Sequence, residues 1–296
     1  MLTGLTYGAE HEFADWPLST VLPAGYGRDE DDITIVNSNG VANDPSGKYY
    51  GYGGEINTYP TSTIKGQVQC LKELKKVLPE ATINYRSNLH LHIRIPGLDQ
   101  DLEQLKRLQL YIHKHMREVL SQIQPLPRPT QEQYPDPEEL AGAIRRWRRR
   151  KVSHQTLLTP QRLQKQLSSE TVHDFFRNEV PFSKDNKPQW QCQPRLCVNL
   201  RQILETDTIE FRHFAGTMDT TILENCFLWC QQFLDYALNN KPISYLLWEF
   251  KNIQFPAFPE YNHEMERRYR ATVHDGTVPK EKIKENIQKI LEGTFV

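Results

Sequence analysis

Hydrophobic and polar residues alternate in four separate places along this chain. Leu5, Tyr7, Ala9, His11 and Phe13 take every second position, with Thr6, Gly8, Glu10 and Glu12 between them. The same period runs through GGEINTY at 53–59, NLHLHIRI at 88–95 and TIEFRHF at 208–214. A two-residue period predicts half-buried strands, because successive side chains leave the backbone on opposite faces. RLCVNL, at 195–200, reads as a further strand, and a short turn is expected before TIEFRHF.

Elsewhere the period changes to three and four. Residues 62–78 show helical spacing, as do Leu102, Leu105, Leu108, Ile112, Met116 and Leu120. A proline-rich break at Pro125–Pro137 precedes two more helices, ELAGAIRRWRRRK and TPQRLQKQL. In the second, Thr159 is a natural N-cap and Pro160 suits the first helical position. Further helices are expected from Thr220 to Leu238 and from Pro279 to Leu291. Residues 25–54, rich in Gly, Asp, Asn and Tyr, read as loops around a short strand, Ile33–Val36. Strands at both ends with helices between predict an α+β fold rather than alternating βαβ units. The chain reads as a single domain over residues 1–296 with a helical insertion at about 100–178.

Composition adds mostly exclusions. Of the 296 residues, 38% are hydrophobic and 25% charged, and the formal net charge is −1. That balance supports a sizeable core and gives no global pull toward nucleic acid or membrane. No apolar run approaches the ~18 residues of a membrane span. The start, MLTGLTYGAEHEF, lacks the basic-then-apolar order of a signal peptide. The five cysteines are odd in number and form no CxxC pair, so free thiols in a cytoplasmic protein are expected.

The chemistry lies in what the strands carry between their apolar positions. Glu10 and Glu12 share one strand face, roughly 7 Å apart. His90, His92 and Arg94 share a face, as do Glu210 with Arg212 and Glu55 with Asn57. In one sheet, these strands would give an apolar side packed by helices and a side bearing carboxylates, imidazoles and guanidinium groups. Clustered carboxylates repel one another, and divalent ions such as Mg²⁺ or Mn²⁺ relieve that repulsion. Arg94, Arg212 and His92 could then hold a polyphosphate. Each motif alone more often marks a solvated strand or a cross-strand ion pair. Their recurrence on strands with apolar opposite faces favours a site.

The succession GAEHEF, GGEI, NLHLH, RLCVNL and TIEFRHFAGTMD, from about residue 4 to 219, resembles the amidoligase family. These are phage and bacterial carboxylate–amine ligases related to glutamine synthetase and glutamate–cysteine ligase. The resemblance implies a glutamine synthetase-like curved antiparallel sheet that binds ATP and two or three Mg²⁺ or Mn²⁺ ions, in a bacterial or phage-infected cytoplasm. It places metal ligands at Glu10, Glu12, Glu55, His90 and Glu210. It places His92 near the nucleotide phosphates and Arg212 on the transferred phosphoryl group. Arg195 and Asn199 become phosphate- or substrate-binding positions. The activity it implies joins an amino acid to an amine through an acyl phosphate. The chain has no room for the additional N-terminal domain of glutamine synthetase, so a synthetase-like ring is not expected.

Two other functions compete. A phosphotransferase of the related guanidino-kinase-like fold would use the same groups and release no free phosphate. An inactive relative could bind nucleic acid or another polyanion through the basic run Arg145–Lys151; a metal-dependent hydrolase is a more distant reading. The basic run itself reads as a solvated helix face with Trp147 inward, as a lid over ATP, or as a polyanion-docking surface. His113 and His115 are expected on a helix surface, and His263-Glu264 does not form HExxH. Tyr49, Tyr50 and Tyr52 could line a pocket or pack beside the glycines.

Overall fold

The computed structural model describes residues 2–17, 19–29, 35–42, 52–179 and 196–296. Among the described residues, six strands form one antiparallel sheet: β1 (Thr6–Pro17), β2 (Gly27–Asp29), β3 (Tyr52–Asn57), β4 (Asn88–Arg94), β5 (Val198–Asn199) and β6 (Ile209–Ala215). Their order is β2-β3-β1-β4-β6-β5, so β1, with Glu10 and Glu12, and β4, with His90 and His92, lie at the centre. The fold is mixed α+β, as the alternation predicts.

Ten helices accompany the sheet among the described residues. They are α1 (Ile64–Val77), α2 (Leu102–Ile123), α3 (Pro137–Gln155), α4 (Pro160–Leu167), α5 (Val172–Glu179), α6 (Gln202–Thr206), α7 (Thr220–Leu238), α8 (Ile243–Glu249), α9 (His263–Thr272) and α10 (Lys280–Leu291). Thr159 caps α4 and accepts from Arg162 N, with Pro160 in the first turn. The first amides of helix α7 have no intrahelical acceptor, and Asp219 accepts from those of Thr221 and Ile222. No helix among the described residues is long and apolar enough to cross a membrane.

The alternation now has its physical cause. Tyr7, Ala9, Phe13, Leu89, Leu91, Ile93, Ile209, Phe211 and Phe214 belong to the main buried cluster, together with side chains of α1, α2 and α7. The odd-numbered positions of β1 therefore face helices, and Glu10 and Glu12 face the other way. Helix α7 is apolar around most of its circumference, and burying Phe227, Trp229 and Phe233 contributes about 1.5–3 kcal/mol for each side chain.

Several expectations change. RLCVNL contributes only Val198–Asn199 to the sheet, and the expected short turn after it contains α6. Asp207 then reverses the chain in the left-handed region, at φ 57°. Of the strand expected at Ile33–Val36, the described part is an isolated bridge from Val36 to Ala42. Strand β2 and helices α8 and α9 lack a strong period and were not anticipated. Cys70, Cys197, Cys226 and Cys230 are buried free thiols. Cys192, Tyr49 and Tyr50 lie outside the described residues, as does the side chain of Tyr52.

Candidate metal centre

Strand register assembles the site. Glu10 on β1 stands opposite His90 on β4, His92 stands opposite Glu210 on β6, and Glu210 stands opposite Asn199 on β5. On the other side of β1, Glu12 faces Glu55 of β3. Five strands thus bring their polar positions to one face. Glu55 depends on a glycine two residues earlier: Gly53 has φ +92°, and a Cβ there would lie 2.9 Å from Phe13 O.

A bulge shapes β6. Between the pairs Leu91–Phe211 and Leu89–Phe214, β4 contributes one residue and β6 two, Arg212 and His213. Arg212 stays on the face of Glu210. His213 turns into the core, fully buried, with its ring 5.4 Å from that of Trp229.

Glu10 is the hub. Its Oε2 lies 2.8 Å from His90 Nδ1, and its Oε1 lies 3.0 Å from His92 Nε2. These two imidazoles hold the Glu10 carboxyl well below the usual carboxylate range, against the opposing effect of burial. Glu210, 1% exposed, accepts from Asn199 Nδ2 at 2.8 Å and is clamped by Arg212 Nη1. Burial disfavours the charged Arg212, yet Glu210 and Glu10 together raise its pKa. His92 Nδ1 is 2.9 Å from Thr208 Oγ1, and its buried Nε2 faces Glu10 Oε1.

Two sets of side chains bring potential ligand atoms within 4.8 Å of one another: Glu10, His92 and Glu210, and Glu10, Glu55 and His90. Carboxylate oxygens with one imidazole nitrogen suit a hard divalent ion. The buried Nε2 of His92, beside Glu10, fits the same use once deprotonated. Burial lowers the pKa of His92, but Glu10 and Glu210 raise it further, and an ion bound among these groups would take the place of the Nε2 proton. The molecule therefore holds groups that could bind a metal ion.

Of the ligands expected from the resemblance, Glu10, Glu55, His90 and Glu210 fall into these sets. Glu12 does not. Its Oε2 accepts from the amide and the side-chain nitrogen of Asn88, at 2.9 and 2.7 Å. His92, expected near the nucleotide phosphates, also falls into the first of these sets. Arg94 pairs with Asp207 and lines a cavity of about 420 Å³ with Glu10, Asn57, His92 and Thr208. Asn199 orients Glu210, and Arg195 lies outside the described residues. His113 and His115 are half-buried on α2, and neither joins a ligand set among the described residues.

The basic run of α3 is divided by helix geometry. Arg145, Arg148, Arg149 and Lys151 are exposed. Arg146, Arg150 and His154, spaced by four, point inward. Arg146 donates to Tyr85 O at 2.9 Å, Arg150 to the same oxygen, and His154 Nδ1 to Arg212 O at 2.7 Å. Trp147 donates to Leu126 O at 2.9 Å. Helix α3 thus packs against β6 on the polar side of the sheet. The residues missed from sequence were Asn88, Thr208 and this inward stripe. The four-residue spacing in RRWRRRKVSH was the available signal for the stripe.

These features define an α+β protein whose antiparallel sheet carries a carboxylate–imidazole centre on its polar face. Compared with protein-family models, with curated proteins and with solved structures, the chain matches none.

Proposed function

We propose that this protein is an ATP-dependent carboxylate–amine ligase that works with Mg²⁺ or Mn²⁺. The observation that carries the reading is the convergence of Glu10, Glu55, His90, His92 and Glu210 on one sheet face, with Arg212 fixed against Glu210. The order of motifs along the chain supports the same reading.

In this proposal Glu10, Glu55, His90, His92 and Glu210 hold the ions. Bound ions would supply charge neutralisation for a polyphosphate. Arg212 is the group placed to stabilise the transferring phosphoryl oxygens. Its pairing with Glu210 keeps the guanidinium on the polar face in one orientation. Asn199 and Asn88 hold the carboxylates of Glu210 and Glu12 without adding charge. Arg94, beside the cavity next to Glu10, is a second phosphate- or substrate-facing cation. The carboxylate substrate gains a phosphoryl group from ATP, and the resulting acyl phosphate is attacked by the amine with loss of phosphate.

The test is phosphate release from ATP in Mg²⁺ or Mn²⁺ with panels of amino acids and amines. Release that needs both partners, and that disappears in Glu210→Gln, supports the ligase. A phosphorylated product without free phosphate would replace it with a phosphotransferase. No stimulation above the Glu210→Gln level by any pair would exclude it.

A further inference from the structure

A second cavity, about 470 Å³, opens between α3 and the segment 253–261. Its walls are mostly apolar and aromatic and include Ala143, Trp147, Phe258 and Tyr261. This volume lies within the range of small-molecule sites. Polar side chains interrupt the apolar lining at Gln122, Gln133, Arg150 and the carboxylate Glu260, and two further ones, Arg146 and Gln124, carry buried atoms without a hydrogen-bond partner.

The first is Arg146. One of its nitrogens donates to Tyr85 O, but its buried Nε has no hydrogen-bond partner. No ion pair to Arg146 exists among the described residues, whereas neighbouring Arg86 pairs with Glu266 at 2.7 Å. Burial, and then the charge of Arg86, push Arg146 down to about 10. Arg150, one turn on, sits 4.4 Å from the Phe258 ring and is pushed down to about 9, by burial and then by Arg146. A guanidinium in this lining with a buried, unbonded Nε and no ion-pair partner among the described residues favours an anion beside it.

The second is Gln124, 1% exposed. Its Nε2 donates to Pro256 O at 2.8 Å, and its Oε1 is buried without a donor. An unsatisfied buried acceptor costs about 1–3 kcal/mol unless something supplies a hydrogen.

We propose that this cavity binds the carboxylate of an N-acylated α-amino acid, free or at a peptide C-terminus, with an apolar or aromatic side chain. Arg146 takes the carboxylate. Gln124 Oε1 accepts the amide N–H, and the aromatic wall covers the side chain. A free α-ammonium would supply a hydrogen but would repel both arginines, which selects the acylated form. The site does not depend on ATP or metal, so it stands or falls separately from the ligase reading.

Calorimetric titration of the full chain with N-acetylphenylalanine, without metal or nucleotide, tests it. The acid is expected to bind in one equivalent. N-acetylphenylalaninamide, which lacks the charge, should bind at least about tenfold more weakly, and 3-phenylpropionate, which lacks the N–H, should also lose affinity. Arg146→Gln should weaken the acid at least about tenfold, whereas Arg148→Gln, on the exposed face of α3, should not. Ala143→Leu fills the cavity without touching the charge and should block binding, which keeps the test valid if Arg146→Gln folds poorly. A tetrapeptide ending in Phe separates the two sources of the carboxylate. Equal affinity for acid and amide overturns the proposal, as does an acid titration unchanged by Ala143→Leu, or no binding at about 10 mM.

Discussion

His154 Nδ1 donates to the carbonyl oxygen of Arg212 at 2.7 Å. A buried imidazole on α3 therefore fixes the backbone of the residue proposed to meet the phosphoryl group. Burial keeps this histidine well below its ordinary pKa, so it stays a neutral donor. His154→Ala removes the hydrogen bond and leaves a void beside Phe258. The expected cost is about 2–3 kcal/mol in denaturant unfolding. Phosphate release, if present, should fall with it, because Arg212 loses its backbone support.

Metal binding should separate the carboxylates. Glu10 belongs to both ligand sets, and Glu55 and Glu210 to one each. Manganese titration followed by electron paramagnetic resonance is expected to show Glu10→Gln losing most bound ion. Glu55→Gln and Glu210→Gln should each lose part, and Glu12→Gln should keep it. In the wild type, ion at 100 times its Kd should raise stability by about 2.7 kcal/mol. Loss of binding in Glu12→Gln as complete as in Glu10→Gln would refute this division of roles.

Stability should fall on the acid side of neutrality. Burial lowers His11 to about 4 and His213 to about 3, so both are neutral when folded but titrate near 6.5 when unfolded. The unfolded state then takes up more protons as pH falls. The stability linked to these groups is complete above about pH 6.5 and is lost as pH falls, down to about 4 for His11 and about 3 for His213, at roughly 1.4 kcal/mol per pH unit for each histidine. His92 has the opposite sign: burial lowers it, but Glu10 and Glu210 raise it further, so its contribution is lost as pH rises. Urea midpoints at pH 7, 6 and 5 check the balance. His213→Leu should reduce the slope by about one proton.

Gly53→Ala is expected to destabilise by about 2–3 kcal/mol. The substitution combines a left-handed backbone with a Cβ 2.9 Å from Phe13 O. Because Gly53 and Glu55 share β3, manganese binding should weaken as well. Gly97→Ala makes a control: its φ is +79°, but nothing lies within 4 Å of the added Cβ. It should cost less and leave the ion affinity unchanged.

Much of this molecule could be read from residue order. Period two placed Glu10 with Glu12, His90 with His92, and Glu210 with Arg212, because a strand offers only two faces and one of them must be buried. Periods of three and four marked α1, α2, α4, α7 and α10, and Thr159 and Pro160 marked a helix start. Short or weakly patterned elements escaped. Strand β2 has three residues and β5 two, too few for a period to show.

Tertiary structure decided the rest. Whether Glu12 points at an ion or at Asn88 depends on how a neighbouring strand begins, and no local pattern records that. The bulge at Arg212–His213 exists only relative to β4, since a bulge is a mismatch between two strands. The run RRWRRRK specified charge and a helix. Only the packing of α3 against β6 determined that Arg146 and Arg150 turn inward while Arg148 and Arg149 are exposed. The sequence by itself thus determined which residues share a face. Strand register and helix docking determined which of them meet, because distances between segments are set by the shape of the common core.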